Sequence, residues 1–328
     1  MSWIQIRRSI GPQLARDAAL LYESLASVPA EPLPLDNLVM RWEPDVSAPV
    51  ITGGEPAALA TLPSPAYARY TSAIRDLAPP TLFEDRRSYR LLSISWSSNE
   101  LTFGASSYFD KLDVSEALAH EAAAAALNGE FAWPLLPFRA LVGNPLDLTR
   151  RSVNPGIVTL TIRRAAQARS TGSFSLLRRD PTRVAGGHYS LVPAGEFQPI
   201  GSLDGDLWRN IVREYSEELL GRPVSRPFSA SMTAGRESGK LRAYILGIVF
   251  DALTLNAVIA TAVVIDSDLY DVLFRDLVLR NAEGDIVHGH RFDASTIARL
   301  TEGDSLGQTS ASCLRLAWRH RHLLLHQT

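Results

Sequence analysis

The second half of the chain carries most of its regular apolar patterning. Residues 157–163, Ile-Val-Thr-Leu-Thr-Ile-Arg, predict a strand, as do 173–179 and 188–192. The long apolar run at 243–265 is interrupted by Asp251, Thr254 and Asn256, so it reads as two buried strands, 241–251 and 257–266, joined by a turn. Between 206 and 221 the period changes. Trp208, Ile211, Tyr215 and Leu219 recur at steps of three and four with Val212 beside them, which predicts an amphipathic helix. Asp204 or Asp206 can cap its start, and Gly221 followed by Pro223 can end it. Residues 223–240 are expected as a polar loop, and 268–280, 294–301 and 310–325 as helices.

The first half mixes periods. A helix is expected over 13–25, a Pro-rich linker at 29–34, a strand at 37–42 and a helix near 66–77. Residues 89–97 and 100–109 suggest a hairpin around Ser98-Asn99, and 114–127 an alanine-rich helix carrying His120 and Glu121. A boundary is expected between Pro145 and Pro155. This gives an N-terminal α+β region over 1–150 and an α/β domain over 151–328, with no internal repeat.

Composition narrows the classes. The 328 residues suit about two domains, and 46% hydrophobic with 21% charged residues suits a soluble globular protein. A net charge of −2 and the lack of a helix-turn-helix signature or basic helix argue against direct nucleic-acid binding. Of 33 basic residues only Lys111 and Lys240 are lysines, a bias that GC-rich coding explains. The single cysteine, Cys313, excludes an intrachain disulfide and reads as a small core residue. With no basic-then-apolar leader and no membrane-length run, a reducing cytoplasm is expected, with no membrane partner.

The chemistry concentrates on the 206–221 helix. Glu214, Glu217 and Glu218 are related as i, i+3 and i+4, so a regular helix turns all three carboxylates to one side. Each like-charge pair costs about 0.2–0.5 kcal/mol in an isolated helix, and Arg213 offsets part of that. A hard divalent cation, Mg2+ or Mn2+, is the natural partner for such oxygens. The rival reading is an ordinary solvated acidic face.

Upstream context favours the cation. A strand ending in Arg178-Arg179, a breaker at Asp180-Pro181, a turn at Gly186-Gly187, a second strand and the Pro193-Ala194-Gly195 turn precede the Arg213-Glu214-Tyr215-Ser216-Glu217-Glu218 block. Together they resemble the Nudix hydrolase family. The segments at 136–145, 192–199, 206–221, 251–255 and 316–325 look like those of an actinobacterial group of Nudix-like proteins, some fused to helix-turn-helix regulators. The block matches position for position. The closing glycine is displaced by one, with Leu220 in its place and Gly221 next. The loop after Gly195 is longer by four residues, and the expected upstream glutamate falls at Gly205, between Asp204 and Asp206.

The resemblance implies an α/β fold of Nudix type, an α/β/α sandwich. It implies Mg2+ or Mn2+ on Glu214, Glu217 and Glu218, with Arg213 orienting the carboxylates. Arg178 and Arg179 would grip phosphate beside the Gly195 turn. Asp251, Asp266 and Glu237 are candidates for a further acidic ligand from a later loop. The implied activity is hydrolysis of a nucleoside diphosphate-linked or related diphosphate. The alternative is a non-catalytic sensor of a small phosphate-containing ligand, and a third reading is other chemistry on the same fold. A homodimer is left open. His288-Gly289-His290 reads as a surface hairpin rather than a metal site, and the basic patch at 318–322 as an exposed helix face.

Overall fold

The apolar runs of the second half become the centre of a mixed sheet. The computed structural model describes residues 11, 13–63, 67–80, 83–128, 131–165, 171–180, 188–199, 205–281, 283–303 and 305–326. The strands are β1 (Ala26–Ser27), β2 (Leu33–Pro34), β3 (Val39–Glu43), β4 (Arg87–Ser95), β5 (Glu100–Ser107), β6 (Gly156–Arg164), β7 (Gly172–Arg179), β8 (Tyr189–Leu191), β9 (Ala194–Glu196), β10 (Leu241–Phe250), β11 (Ala257–Asp266) and β12 (Gly284–Arg291). Among the described residues the main sheet runs β1-β10-β11-β6-β7-β12, with β2 also on β10, β8 on β7 and β9 on β6. Among the described strands of this main sheet, β11 and β6 are the pair that runs parallel, in register from Val258 opposite Gly156 to Asp266 opposite Arg164. Strands β6 and β7 touch only at Arg163–Ser173 and Arg164–Gly172, and the β8–β9 segment fills the gap between them.

Side chains alternate across this sheet, so each face needs its own cover. One face packs on α4 (Leu207–Glu214), α5 (Arg226–Glu237) and α6 (Ser267–Leu273), through Ile211, Tyr215, Phe228, Met232 and Phe274. The other packs on α7 (Ala294–Glu302), α8 (Gln308–Arg319) and α9 (Arg321–His326), through Ile297, Leu314, Ala317 and Leu324. The class is therefore α/β, with helices on both faces of the sheet. Cys313 lies in the second core, fully buried. Its thiol donates to the Thr261 carbonyl at 3.6 Å and is pushed up to about 12 by burial.

The N-terminal half adds a small sheet, β3-β5-β4, with β3 parallel and β4 antiparallel to β5. The expected hairpin turn is there, with Asn99 in the left-handed region at φ 55°. The helix after it, α2 (Tyr108–Leu127), begins six residues before 114. Ser107 and Asp110 form a reciprocal capping box that starts it there. A single apolar cluster takes in Tyr89, Leu91 and Phe103 of the small sheet together with Phe197, Ile211 and Ile245. Residues on either side of position 150 thus share a core, and the Leu91 amide donates to the Val153 carbonyl at 2.8 Å. Two fully buried arginines add to that union. Arg139 donates to the Ala252 carbonyl at 2.7 Å, and Arg151 to the Leu255 carbonyl at 3.1 Å. Burial lowers Arg151 to about 10.

Five local expectations are refined or corrected. Residues 226–237 are helix α5, not loop. Ser225 accepts from the Phe228 amide, Pro227 sits in the first turn, and Phe228 and Met232 bury one face. Helix α6 ends at Leu273 instead of 280, and the closing helix breaks at His320. His288 and His290 lie on edge strand β12, split by a bulge at Gly289 (φ +79°). Their rings go to Ser175 Oγ at 2.8 Å and to the face of Phe174. The early helix covers 13–19 rather than 13–25. Pro181, Gly186, Gly187 and Asp204 lie outside the described residues, as does Ala66 at the start of the helix expected near 66–77, of which Tyr70–Leu77 is helical. No helix among the described residues is long and apolar enough to cross a membrane.

Candidate functional site

Helix α4 starts as the apolar period predicts. Asp206 caps it, accepting from the Arg209 amide at 3.0 Å, and the buried Asn210 side chain donates to the Asp206 carbonyl at 3.0 Å. One oxygen of the Asp206 carboxylate is engaged by this cap.

The helix then changes form. Tyr215–Leu219 is a π-helical turn, which takes one more residue per turn than an α-helix. Gly221, not residue 220, occupies the left-handed position at φ 62°, and the Arg222 amide closes back on the Ser216 carbonyl at 3.2 Å. The turn is anchored at its centre, where the Tyr215 hydroxyl meets Thr161 Oγ1 of β6 at 2.8 Å. It is anchored at its end by Val278, whose amide donates to the Leu219 carbonyl at 2.9 Å, and by Asn281, whose side chain donates to the Glu218 carbonyl at 3.0 Å.

The three glutamates do not share one environment. Glu214 is buried, ion-paired with Arg213, and pressed against Gly195, where a Cβ would overlap its carboxylate. Glu218 accepts from the Ala194 amide at 2.9 Å. Two carboxylates of the helix therefore converge on the backbone of β9. Glu217 points to solvent. Burial raises Glu214 to about 7, against the opposing pull of Arg213, with Glu217 and Glu196 adding repulsion. Burial raises Glu218 to about 8, the Ala194 hydrogen bond opposing, with Glu214 and Glu283 adding negative charge. Among the described residues no three His, Cys, Asp or Glu side chains are grouped as ligands of one ion.

Arg178 and Arg179 separate by the alternation of β7. Arg179 shares a face with Leu177, on the side of α4, and pairs with Glu283 at 3.1 Å while lowering the Glu218 carboxyl. Arg178 shares the face of Leu176, on the side of α7–α9, and is exposed. Of the two arginines expected to grip phosphate, Arg179 is the one on the side of α4.

Three further residues join the site. Glu196 follows Gly195, and its carbonyl accepts from Arg213 at 3.2 Å. Its carboxylate is bound by Lys111 of α2, a side chain only 7% exposed, and its Oε2 is buried without a partner. Glu283 lies near enough to Glu218 for its charge to raise that carboxyl, and its turn is held by Asn281 Oδ1, which accepts from the Glu283 and Gly284 amides at 2.7 and 3.0 Å. Asp266 is spent on Arg164 (2.8 Å), Asp251 closes its own turn on Thr254 (2.8 Å), and Glu237 is exposed at the end of α5. The sequence signal for Lys111 was its rarity, a lysine in a chain that otherwise uses arginine.

No family model matches this chain, and no curated protein does either.

Proposed function

We propose that the chain is a metal-dependent hydrolase of Nudix type, acting on a nucleoside diphosphate-linked or related diphosphate. One observation carries the reading. The carboxylates of Glu214 and Glu218 converge on the Ala194–Gly195 backbone, at the end of a strand-turn that resembles the Nudix pattern. The donor set fits Mg2+ or Mn2+. It offers hard carboxylate oxygens, crowded enough to repel one another and raised by burial, and a buried Glu196 oxygen without a partner.

Glu214 and Glu218 would hold the ion, and Glu217, which points to solvent, would have to turn inward to add the third carboxylate of the expected set. When bound, the ion supplies neutralisation of phosphoryl charge and polarisation of water. The chain's own residues do the rest. Arg213 fixes Glu214 by ion pairing and ties it to the β9 backbone through the Glu196 carbonyl. Arg179, paired with Glu283 on the α4 side of β7, would offer its guanidinium to the departing phosphate in exchange for that pairing. Burial holds the Glu218 carboxyl toward its protonated form, so a bound cation would displace a proton from it. The proposed partner is a small phosphate-containing molecule in the cytoplasm rather than DNA or RNA, given the net charge of −2.

A screen of nucleoside diphosphate derivatives with Mg2+ and Mn2+ tests this. Turnover of one class, abolished by Glu217→Gln with Glu218→Gln, supports it. No turnover of any, or undiminished turnover in the double variant, overturns it. A second reading, a sensor that binds such a ligand without consuming it, draws on Glu217 standing apart from its neighbours and on Asp206 giving one oxygen to the cap. Ligand-induced thermal stabilisation without product would favour it.

A further inference from the structure

Lys111 is the fourth residue of α2, where the positive end of the helix dipole opposes a cation. What favours it is tertiary: the Glu196 carboxylate, 85 residues further along the chain. A short strap fixes the distance between the two. On the side of α2, the Asn154 side chain donates to the Ser107 carbonyl at 2.8 Å, and the Ser106 and Ser152 hydroxyls meet at 2.8 Å. On the side of β9, the Phe197 amide donates to the Pro155 carbonyl at 3.0 Å, and Glu196 lies opposite Gly156 of β6. Residues 152–156 therefore hold both the helix that carries Lys111 and the strand that carries Glu196. The lysine arrives on a fixed frame, with its side chain buried.

Glu196 stands between Lys111 and Arg213. Its carboxylate takes the lysine on Oε1, and its carbonyl accepts from Arg213 Nη2 at 3.2 Å. The same Arg213 nitrogen pairs with Glu214. Two buried atoms at this junction, Glu196 Oε2 and Arg213 Nε, have no hydrogen-bond partner among the described residues. One belongs to an anionic acceptor and the other to a cationic donor. A buried polar atom left unpaired costs about 1–3 kcal/mol, so a Glu196 carboxylate released by Lys111 is drawn toward Arg213. That exchange would take the guanidinium away from Glu214.

We infer that Lys111 is a positioning residue of the acidic site: by holding the Glu196 carboxylate, it keeps Arg213 on Glu214. The inference rests on the reading of Glu214 and Glu218 as cation ligands. It gives the N-terminal half a part in that site, because Lys111 lies outside the strands and helix that resemble the Nudix pattern. Charge alone predicts the opposite effect. Removing an ammonium from beside carboxylates should strengthen their pull on a cation.

Mn2+ binding to the full chain, without substrate, is measured by the electron paramagnetic resonance of the free ion. Circular dichroism checks that each variant is folded at the assay temperature. Lys111→Met should weaken binding about tenfold, the lower end of what partners that orient metal ligands contribute. Adding Glu196→Gln should recover most of that loss, although it removes a further negative charge. Lys111→Arg keeps the cation and should keep most of the affinity. Lys111→Gln, which keeps a donor, should act in the same direction as Lys111→Met and replaces it if that variant does not fold. Unchanged or tighter binding in Lys111→Met overturns the inference, and so does a double variant as weak as the single. Both outcomes leave the cation reading standing. A wild-type chain that takes up no Mn2+ overturns the two together.

Discussion

Gly195 and Glu214 are in direct contact, with the glutamate carboxylate in the space that a side chain on residue 195 would fill. Gly195 is in extended backbone that any residue adopts, so its smallness serves the neighbour, not the chain path. Gly195→Ala should therefore fold, at a cost of about 1–3 kcal/mol for overpacking. It should displace the carboxylate from Arg213 and reduce metal-dependent turnover by about 100-fold, the scale of a 1 Å misplacement. A thermal melt beside an initial-rate assay checks both. Full activity in a stable Gly195→Ala protein would show that Glu214 needs no such seat.

The carboxyls of Glu214 and Glu218 lie at about 7 and about 8, above the usual carboxylate range near 4.5. Between those values the folded chain holds protons that the unfolded chain has lost. Stability without metal should therefore be greatest below about pH 4.5 as far as these groups are concerned, and should fall as pH rises toward 8. Glu218→Gln should flatten that slope. Mn2+ should stabilise more at pH 8 than at pH 6, because binding needs the deprotonated form. Melting temperatures across pH, with and without Mn2+, measure the slope. A Tm that rises from pH 6 to 8 in the metal-free protein and is unchanged by Glu218→Gln would contradict it.

Lys111 reaches Glu196 from the N-terminal half, and the lysine is buried while the glutamate is about one-third exposed. Lys111→Met should destabilise by about 1–3 kcal/mol, since it leaves a carboxylate oxygen without its cation. Adding Glu196→Gln should recover part of that loss. A double-mutant cycle by urea unfolding reads the coupling, and additive losses would argue that the pair is only a contact.

Arg178 and Arg179 adjoin in sequence and oppose in space. Arg179→Ala should weaken binding of a diphosphate ligand about tenfold or more, the worth of a hydrogen bond to a charged group. Arg178→Ala should change it by no more than about twofold. Isothermal titration of the two variants distinguishes them, and equal losses would place the phosphate elsewhere.

Much of this was legible in the residues. Apolar runs gave the strands β6, β7, β10 and β11 within a residue or two, because a strand buried on both faces is apolar along most of its length. The period of Trp208, Ile211, Tyr215 and Leu219 gave α4 and its buried stripe, although Trp208 is only half-buried under Arg236. Helix α5 was hidden because its polar residues outnumber the Phe228 and Met232 that bury it. The π turn was hidden too. No local apolar pattern marks it, because the residues that anchor it, Thr161, Val278 and Asn281, are far away in the chain.

The sequence by itself determined the α/β class, the acidic helix, and the identity of the carboxylates on it. Local periodicity and capping decide those, and both are written in neighbouring residues. Only the tertiary structure decided which carboxylates meet. Glu217 turns outward while Glu214 and Glu218 close on β9, since a π turn does not keep the three-and-four spacing of an α-helix. It also decided that Lys111, Glu196 and Glu283 belong beside them. Their approach depends on strands and turns far apart in the chain, so no local pattern records it.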